Sequence, residues 1–362
     1  MEMTPKERWL AALRLQPLDR LPFWPKLDRA YSIANAGSFA DTEAIHAFIH
    51  SDRLASTGIC NKVTRSRTAT NVSTQGNVTT HIYRTRFGHL VRADRFDEIS
   101  QSRHPVEFPI KRREDLAIMT EWYLDQEVEL DAAAAEHARA AHDQAGDDAV
   151  TAASIDTSPL MEFVQHLAGV ENAHLLLSDC PAEVEGLFGA MHRIVLRRAE
   201  IESAHNPADF LILSENTSTT LISPAQYHTY CLPHLMEYAR IAGQANRPLV
   251  LHMCGHLKAL LPDLACLPVA GFEAFTTPPV GNTTLLDARS ACPNTCLIGG
   301  TSAVSWTRSA PAIIAELELG LSVLPHHRGL VITSGGVMPQ RCLPETIKAV
   351  CDWVRQYPIR AS

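Results

Sequence analysis

The sequence predicts an α/β protein, a (β/α)8 TIM barrel with an N-terminal elaboration of helices and β-hairpins. From residue 149 onwards, short apolar runs alternate with helical stretches, which indicates a parallel sheet joined by crossover helices. Six such runs and two upstream candidates give about eight strands. The residues that follow the runs are polar or rich in glycine, as in loops around a ligand. An open doubly wound sheet is the alternative, but no G-x-G-x-x-G motif follows an early strand.

The predicted barrel strands are short and mostly apolar, which is typical of strands buried on both faces of a parallel sheet. Two lie in the N-terminal part, at residues 22–24 and 57–61. The other six occupy residues 149–153, 210–213, 249–251, 271–275, 296–298 and 330–332. Helical stretches follow these strands at residues 159–166, 181–204, 224–244, 256–264, 285–291, 310–324 and 344–355.

Helices and a hairpin excursion are expected before the regular alternation begins. Residues 4–15 have apolar positions at helical spacing, and Thr4, Pro5 and Glu7 form a capping-box pattern with proline at the first helical position. We therefore expect a single barrel domain over residues 1–362, in which 1–148 adds N-terminal helices and hairpins. Within that addition, helices are predicted at residues 40–50 and 127–146, and the hairpin excursion at 66–98.

Composition and charge exclude several classes of protein. The 362 residues are 46% hydrophobic and 20% charged, as in ordinary globular proteins. With 40 acidic against 32 basic residues, the chain lacks the basic excess of a nucleic-acid binder. No apolar run reaches the roughly 18 residues of a membrane span, and the N-terminus does not read as a signal peptide. We expect a cytoplasmic protein whose nine cysteines are thiols or metal ligands rather than disulfides.

The sharpest motif is H-x-C-G-H, which begins at His252 directly after the run at 249–251. Side chains alternate faces along a strand, so His252 and Cys254 can both point towards the barrel axis. An imidazole and a thiolate suit Zn²⁺, although a hydrogen-bonded histidine and a buried thiol explain the same pattern. A catalytic zinc needs a third protein ligand, for which Glu215 and Cys342 are the candidates.

Other side chains near strand ends are candidates for catalysis or substrate binding. Glu215 follows an apolar run, where a carboxylate suits an acid, a base or a metal ligand; a loop carboxylate or helix cap is the alternative. The predicted catalytic residues are therefore Glu215 and His252. The predicted substrate-binding residues are Trp24, Arg29, Asn216, Thr276, Ser302 and Ser334.

The order of these features resembles the uroporphyrinogen decarboxylase superfamily, which includes the decarboxylase and the cobamide-dependent methyltransferases and has a (β/α)8 barrel fold. The segment L-H-M-C-G that ends at Gly255 is similar to L-H-x-C-G of the methyltransferase branch, in which the histidine and cysteine bind zinc. The resemblance covers nearly the whole chain. It also rests on residues 20–24, 157–171, 179–183, 222–233, 281–282 and 299–300.

Two departures bear on which branch the chain resembles. The R-Q-A-G-R motif of the decarboxylases is absent from residues 25–31, although Arg29 lies there, and the acidic net charge of −8 disfavours a polycarboxylate substrate. Methyltransferases that act on thiols carry P-G-C-G after the last strand, and here Gly335 stands in place of that cysteine. Members that act on ethers or amines use other ligand sets, some with glutamate. Such a set would comprise His252, Cys254 and Glu215.

The resemblance implies a zinc-dependent methyltransferase, or demethylase, that moves a methyl group from a small O- or N-methylated substrate to a corrinoid. We expect the corrinoid on a separate small protein, because the chain shows no corrinoid-binding signature. Metal-independent decarboxylation, with Arg29 anchoring a carboxylate, is one alternative. A non-catalytic barrel that binds a small ligand or a corrinoid protein is another. The oligomeric state stays open, with a homodimer as one option.

Overall fold

The structure, a computed structural model, describes residues 2–360 and confirms the predicted (β/α)8 barrel. Eight strands form one parallel sheet in which neighbours in sequence are mostly neighbours in space. All strands of the described residues, including six outside this sheet, are β1 (Phe23–Trp24), β2 (Arg53–Ser56), β3 (Asn61–Thr64), β4 (Ala69–Gln75), β5 (Val78–Thr85), β6 (Gly88–Asp97), β7 (Ser102–Glu107), β8 (Glu127–Leu130), β9 (Ala149–Asp156), β10 (Phe210–Ser214), β11 (Leu249–His252), β12 (Gly271–Phe275), β13 (Cys296–Gly300) and β14 (Leu330–Thr333). Their order in the barrel is β1-β14-β13-β12-β11-β10-β9-β2.

Helices follow the barrel strands and cover the outside of the sheet. Short π-helical turns interrupt two of the helical regions, at Phe163–Leu167 and Tyr227–Cys231, and 3₁₀ turns lie at Lys258–Leu260 and Ala303–Thr307. The α-helices are α1 (Pro5–Leu13), α2 (Arg29–Ala34), α3 (Thr42–Ile49), α4 (Arg113–Leu124), α5 (Ala132–Ala145), α6 (Pro159–Glu162), α7 (Val170–Asp179), α8 (Pro181–His205), α9 (Pro224–Gln226), α10 (Leu232–Gln244), α11 (Leu261–Leu264), α12 (Leu285–Ala291), α13 (Ala310–Ser322) and α14 (Pro344–Gln356). Across residues 2–360, no helix has the length and apolar character to span a bilayer.

Alternation along the strands divides the core into an inner and an outer layer. The inner cluster fills the barrel and includes Trp9 of α1, which stacks on Phe210 at a centroid distance of 6.2 Å and so closes the amino end of the barrel. The outer cluster joins the sheet to the helices. Inward-facing strand residues include Trp24, Val150, Phe210, Val250, Ile298 and Val331, and outward-facing ones include Leu211, Leu213, Leu251, Phe272, Leu297 and Ile332.

Asp52 closes the seam between β1 and β2, the two ends of the strand order. Its backbone N–H donates to the Phe23 carbonyl over 2.7 Å, and Trp9 Nε1 donates to the Asp52 carbonyl over 2.9 Å. The fully buried carboxylate accepts hydrogen bonds from the Phe23 N–H at 2.9 Å, from Arg20 Nη1 at 2.7 Å and from the Arg8 guanidinium. Two cations and a backbone donor therefore compensate the burial of this charge.

The N-terminal elaboration agrees with the sequence in its first helix. Thr4 Oγ1 accepts a hydrogen bond from the Glu7 N–H over 3.2 Å, and the Glu7 carboxylate accepts one from the Thr4 N–H over 2.8 Å, which is the predicted capping box. The hairpin excursion is larger than predicted, since β4 to β7 form a four-stranded antiparallel sheet that extends to Glu107.

Two predicted elements were placed wrongly. The second barrel strand is β2, not residues 57–61, because Arg53–Ser56 is the segment that pairs with β9 and Asn61 already belongs to β3. The helix predicted at 127–146 starts only at Ala132, because Glu127–Leu130 pairs with β3 as β8. The carboxylate of Asp131 then caps the helix by accepting from the Ala134 N–H over 3.2 Å.

Replacing Asp52 with alanine should lower the free energy of unfolding by about 3 kcal/mol, because the buried Arg8 guanidinium keeps only Asp19 as its counter-charge and the partly exposed Arg20 loses its own. Urea denaturation measures this change. Glu200→Ala is the matched control, since Glu200 forms an exposed ion pair with Arg197 and its loss should cost no more than about 0.5 kcal/mol. Equal effects of the two substitutions would show that the seam does not depend on Asp52.

Candidate active site at the carboxyl end of the barrel

Three ionisable side chains meet inside the mouth of the barrel. His252 ends β11 and, two positions after inward-facing Val250, points into the barrel. Glu273 lies opposite it on β12, and its carboxylate is hydrogen-bonded to Nδ1 of His252. Lys26 follows β1 and reaches across the mouth, so that its Nζ lies 3.2 Å from Glu273 Oε1 and 3.4 Å from His252 Nδ1.

The charges of this cluster depend on one another. Burial alone would lower the pKa of His252, but the neighbouring Glu273 carboxylate raises that pKa to about 9. Burial would likewise raise the pKa of Glu273, but His252 and Lys26 outweigh it and hold that pKa below its ordinary value. At neutral pH the mouth therefore holds an imidazolium and an ammonium against one carboxylate. The cluster carries a net positive charge in a largely buried setting.

Cys254 joins the cluster at the next inward position after His252. Its thiol donates to Asn216 Oδ1 over 3.4 Å, and the nearby Cys254 side chain contributes to the raised pKa of His252. The glycine that follows is required by close packing, because a Cβ at Gly255 would lie 2.3 Å from Cβ of Ser218. The sequence H-x-C-G thus places an imidazole and a thiol side by side at the rim.

The structure does not bring Glu215 together with His252 and Cys254. Leu213 faces the outer layer, and Glu215, two positions later, faces the same way. Its carboxylate accepts from the Ser158 N–H at 2.7 Å and from Ser158 Oγ at 2.6 Å. Burial raises the pKa of Glu215 to about 7, although the two hydrogen bonds from Ser158 act to lower it. The alternation of the strand therefore turns this carboxylate towards the helices rather than the mouth.

Cys342 also lies away from the His252–Cys254 pair. It is buried in the outer layer, where Tyr31 donates to its carbonyl over 2.6 Å, and burial raises the pKa of its thiol to about 12. At Gly335, where thiol-specific methyltransferases carry a cysteine, φ is +67° and a Cβ would lie 2.1 Å from the carbonyl oxygen of Thr301. This backbone accepts no side chain at that position.

Three of the predicted substrate-binding residues adjoin the cluster. Trp24 lines the inside of the barrel, with its ring centroid 5.9 Å from Lys26 Nζ. Asn216 contacts the Cys254 thiol, as described above. The hydroxyl of Ser334 accepts from the Lys26 N–H over 3.4 Å. These contacts connect the predicted substrate residues to the charged centre.

The other three predicted substrate residues differ in their surroundings. Thr276 is buried and donates to the Gly335 carbonyl over 3.2 Å, so it joins the loops after β12 and β14. Ser302 is fully buried, and its hydroxyl has no protein partner. Arg29 is exposed at the start of α2. The structure therefore leaves only Arg29 with a freely accessible side chain.

Sequence reasoning missed Glu273 and Lys26. A signal for Glu273 existed, since it is the one charged residue within the apolar run 271–275 and a buried charge requires a partner. Nothing in the sequence indicated that its partner would be Lys26, which lies 247 positions away.

The side chains at the mouth include types that bind zinc, but they are fewer than the protein ligands of a usual zinc site. Histidine nitrogen and cysteine sulfur are preferred zinc ligands, and a carboxylate on the second ring nitrogen, as Glu273 provides, commonly orients a liganding imidazole. Among residues 2–360, however, no three His, Cys, Asp or Glu side chains are grouped so that they could hold a metal ion. His252 and Cys254 would therefore supply two protein ligands.

A parallel barrel with an imidazole, a thiol and a buried carboxylate at the carboxyl ends of its strands has the organisation of a barrel enzyme. Residues 114–357, about two thirds of the chain, match the family described as uroporphyrinogen decarboxylase (URO-D). The chain belongs to this family.

Both the sequence and the fold of the chain are similar to methyltransferase from Methanosarcina mazei. A methylated-thiol–coenzyme M methyltransferase is 28% identical over 113 residues, which are 31% of this chain and 30% of that protein, so the match spans under a third of the relative's length. This agrees with the expected resemblance to the methyltransferase-like branch. The solved structure of a methyltransferase superposes with a TM-score of 0.61 at 15% identity, over 98% of each chain, which supports the barrel fold.

Substituting alanine for Gly335 should destabilise the protein by about 1–3 kcal/mol, because it forces a side chain into the left-handed region and against the Thr301 carbonyl. Thermal denaturation measures the effect. Gly243→Ala is the control, because Gly243 lies in helix α10 with open space around it and the change should be neutral or stabilising by up to about 1 kcal/mol. A neutral Gly335→Ala would mean that the loop can admit a side chain, and hence a cysteine ligand.

Proposed function

We propose that this protein is a methyltransferase that removes a methyl group from a small O- or N-methylated substrate and passes it to a corrinoid carried by a separate small protein. The observation that carries the proposal is the His252–Cys254 pair at the barrel mouth, with Glu273 buried behind the imidazole. Membership of the uroporphyrinogen decarboxylase family and the similarity to a curated methyltransferase support it.

Demethylation requires that the heteroatom be made a better leaving group. When the carbon–heteroatom bond breaks, the methyl carbon goes to the acceptor and the electron pair stays on the heteroatom, which must then be stabilised by a proton or by a Lewis acid. His252 is suited to hold that proton, because its pKa is raised to about 9. Glu273 occupies Nδ1, so Nε2 is the ring nitrogen left for the substrate. The net positive charge of the cluster favours the developing negative charge.

Zinc is the second way to stabilise the same heteroatom. His252 and Cys254 would hold the ion, which would supply Lewis-acid chemistry at the atom that loses the methyl group. Glu273 would then orient the imidazole through Nδ1, as outer-shell carboxylates commonly do. Both routes place the leaving heteroatom beside His252.

Decarboxylation is the second candidate function, because the family that matches is described by that reaction. Arg29, exposed at the start of α2, would then anchor a substrate carboxylate. The replacement of the R-Q-A-G-R motif and the acidic composition favour methyl transfer instead.

Metal content distinguishes the two ways of activating the leaving group. We expect about one zinc per chain in protein purified without chelators, and loss of that zinc in His252→Ala and Cys254→Ala. Elemental analysis by plasma mass spectrometry measures it. Cys266→Ala is the control, since that thiol is exposed and lies outside the mouth. Absence of metal from the wild-type protein would overturn the zinc route and leave proton donation by His252.

The function itself is tested by supplying free cob(I)alamin as the acceptor together with aryl methyl ethers and methylamines. Methyl transfer should consume cob(I)alamin and release the demethylated product in equal amounts, followed by absorbance and chromatography. Uroporphyrinogen is the competing substrate. Its decarboxylation, with loss of that activity in Arg29→Ala and no methyl transfer from any donor, would sink the proposed function.

Glu273→Gln should lower kcat for methyl transfer by about 10–100-fold, because the imidazole loses the carboxylate that orients and charges it. If the protein is metal-free, protonated His252 is the active form, so the wild-type rate should fall as the pH rises through about 9. Without the Glu273 charge the pKa of His252 is lower, so the rate of the variant should fall at a lower pH. Steady-state kinetics across pH measure both effects. Glu200→Gln, on the exposed surface of α8, is the control and should leave the kinetics unchanged. If Glu273→Gln has the same kcat and the same pH profile as the wild type, Glu273 has no part in the mechanism.

A further inference from the structure

A second polar cavity lies outside the barrel mouth, on the helix side of β9. Its volume is about 170 Å³, and its walls come from the end of β9, the end of α4, helix α8 and the segment between β3 and β4. A register shift between β9 and β10 places Asp156 opposite outward-facing Leu213, so Asp156 points towards α8 rather than into the barrel. The polar groups that line the cavity include Arg65, Gln126, Asp156, Glu162 and Arg198.

Three buried donors at this cavity have no protein partner. They are Nε of Arg65, Nε of Arg198 and the side-chain amide nitrogen of Gln126, a residue only 2% exposed. Buried polar groups are nearly always hydrogen-bonded, so three unpaired N–H donors around one small cavity require an explanation. All three are donors, and the group that would satisfy them is an acceptor.

Two guanidinium groups and two carboxyl groups line the cavity. The Arg65 guanidinium lies 4.1 Å from the ring centroid of Trp122, and among residues 2–360 the carboxylate that acts on its charge, Asp125, lies beyond ion-pair distance. Arg198 is paired with Asp156. Burial raises the pKa of Glu162 to about 7, so this carboxyl carries only part of a charge near neutral pH. Among the residues that line the cavity, two guanidinium groups therefore meet one full and one partial carboxylate charge, while Asp125 and Glu202 act on Arg65 and Arg198 from outside the lining.

We propose that this cavity binds a small oxyanion, a carboxylate or a phosphate, between the guanidinium groups of Arg65 and Arg198. The amide of Gln126 supplies a third hydrogen bond. Trp122 holds the Arg65 guanidinium in a fixed plane, and Asp156 does the same for Arg198, so both donors are oriented before the ligand arrives. The volume is below the roughly 300 Å³ at which sites for drug-sized molecules begin, which limits the ligand to a few heavy atoms.

Calorimetric titration of the full-length protein with sodium acetate and, separately, with sodium phosphate tests this site, with ionic strength held constant by sodium chloride. We expect one of the two anions to bind one site per chain and to raise the melting temperature. The anion that binds identifies the carboxylate or the phosphate as the ligand class. Arg65→Gln should weaken binding by about tenfold or more, because it removes one charge-assisted contact.

Arg86→Gln is the matched control, since Arg86 also stacks on an aromatic ring, that of Phe87, but is exposed and lies outside the cavity. It should bind as the wild type does. Three results would overturn the proposal. Neither anion binds, or Arg65→Gln binds as tightly as the wild type, or Arg65→Gln and Arg86→Gln lose the same amount of affinity. If Arg65→Gln does not fold, phenylglyoxal modification of the wild type decides: the bound anion must protect Arg65 and Arg198, and unprotected arginines refute the site.

Discussion

Closure of the barrel depends on the Asp52 carboxylate. The first strand is only two residues long, and β1 and β2 stand at the two ends of the strand order. Asp52 joins them through its backbone N–H to Phe23 and through its side chain to Phe23, Arg20 and Arg8. The position of β1 in turn sets the position of Lys26, whose ammonium reaches Glu273 across the mouth. The charged centre of the candidate site is thus tied to the seam.

The mouth shows how a buried charge couples residues from distant parts of the chain. Glu273 is 2% exposed, and its ionised form is held by His252 beside it and Lys26 opposite it. The same carboxylate keeps the imidazole protonated near neutral pH. Stabilisation of the carboxylate and activation of the histidine are therefore one interaction. Under the proposed function, assistance to the leaving heteroatom by a proton or by a metal ion would use the imidazole that Glu273 orients.

The segment after β9 connects the mouth, the outer layer and the second cavity. Asp156 turns to Arg198 at the cavity, Thr157 donates to the Ser214 carbonyl at the rim over 2.9 Å, and Ser158 holds Glu215 in the outer layer. Ser214 pairs with His252 of the neighbouring strand. An anion held beside Asp156 would thus adjoin the loop that forms the rim of the candidate active site.

The sequence by itself determined the barrel, the capping box of α1 and the His252–Cys254 pair, because these depend on local periodicity and on the alternation of a single strand. It did not determine which side of β10 Glu215 would face, nor that residues 127–130 would pair with β3 instead of starting a helix. The tertiary structure alone decided that Lys26 meets Glu273 and that Cys342 lies in the outer layer. Such contacts depend on the closure and register of the whole sheet, and no local pattern encodes which distant residues a closed barrel brings together.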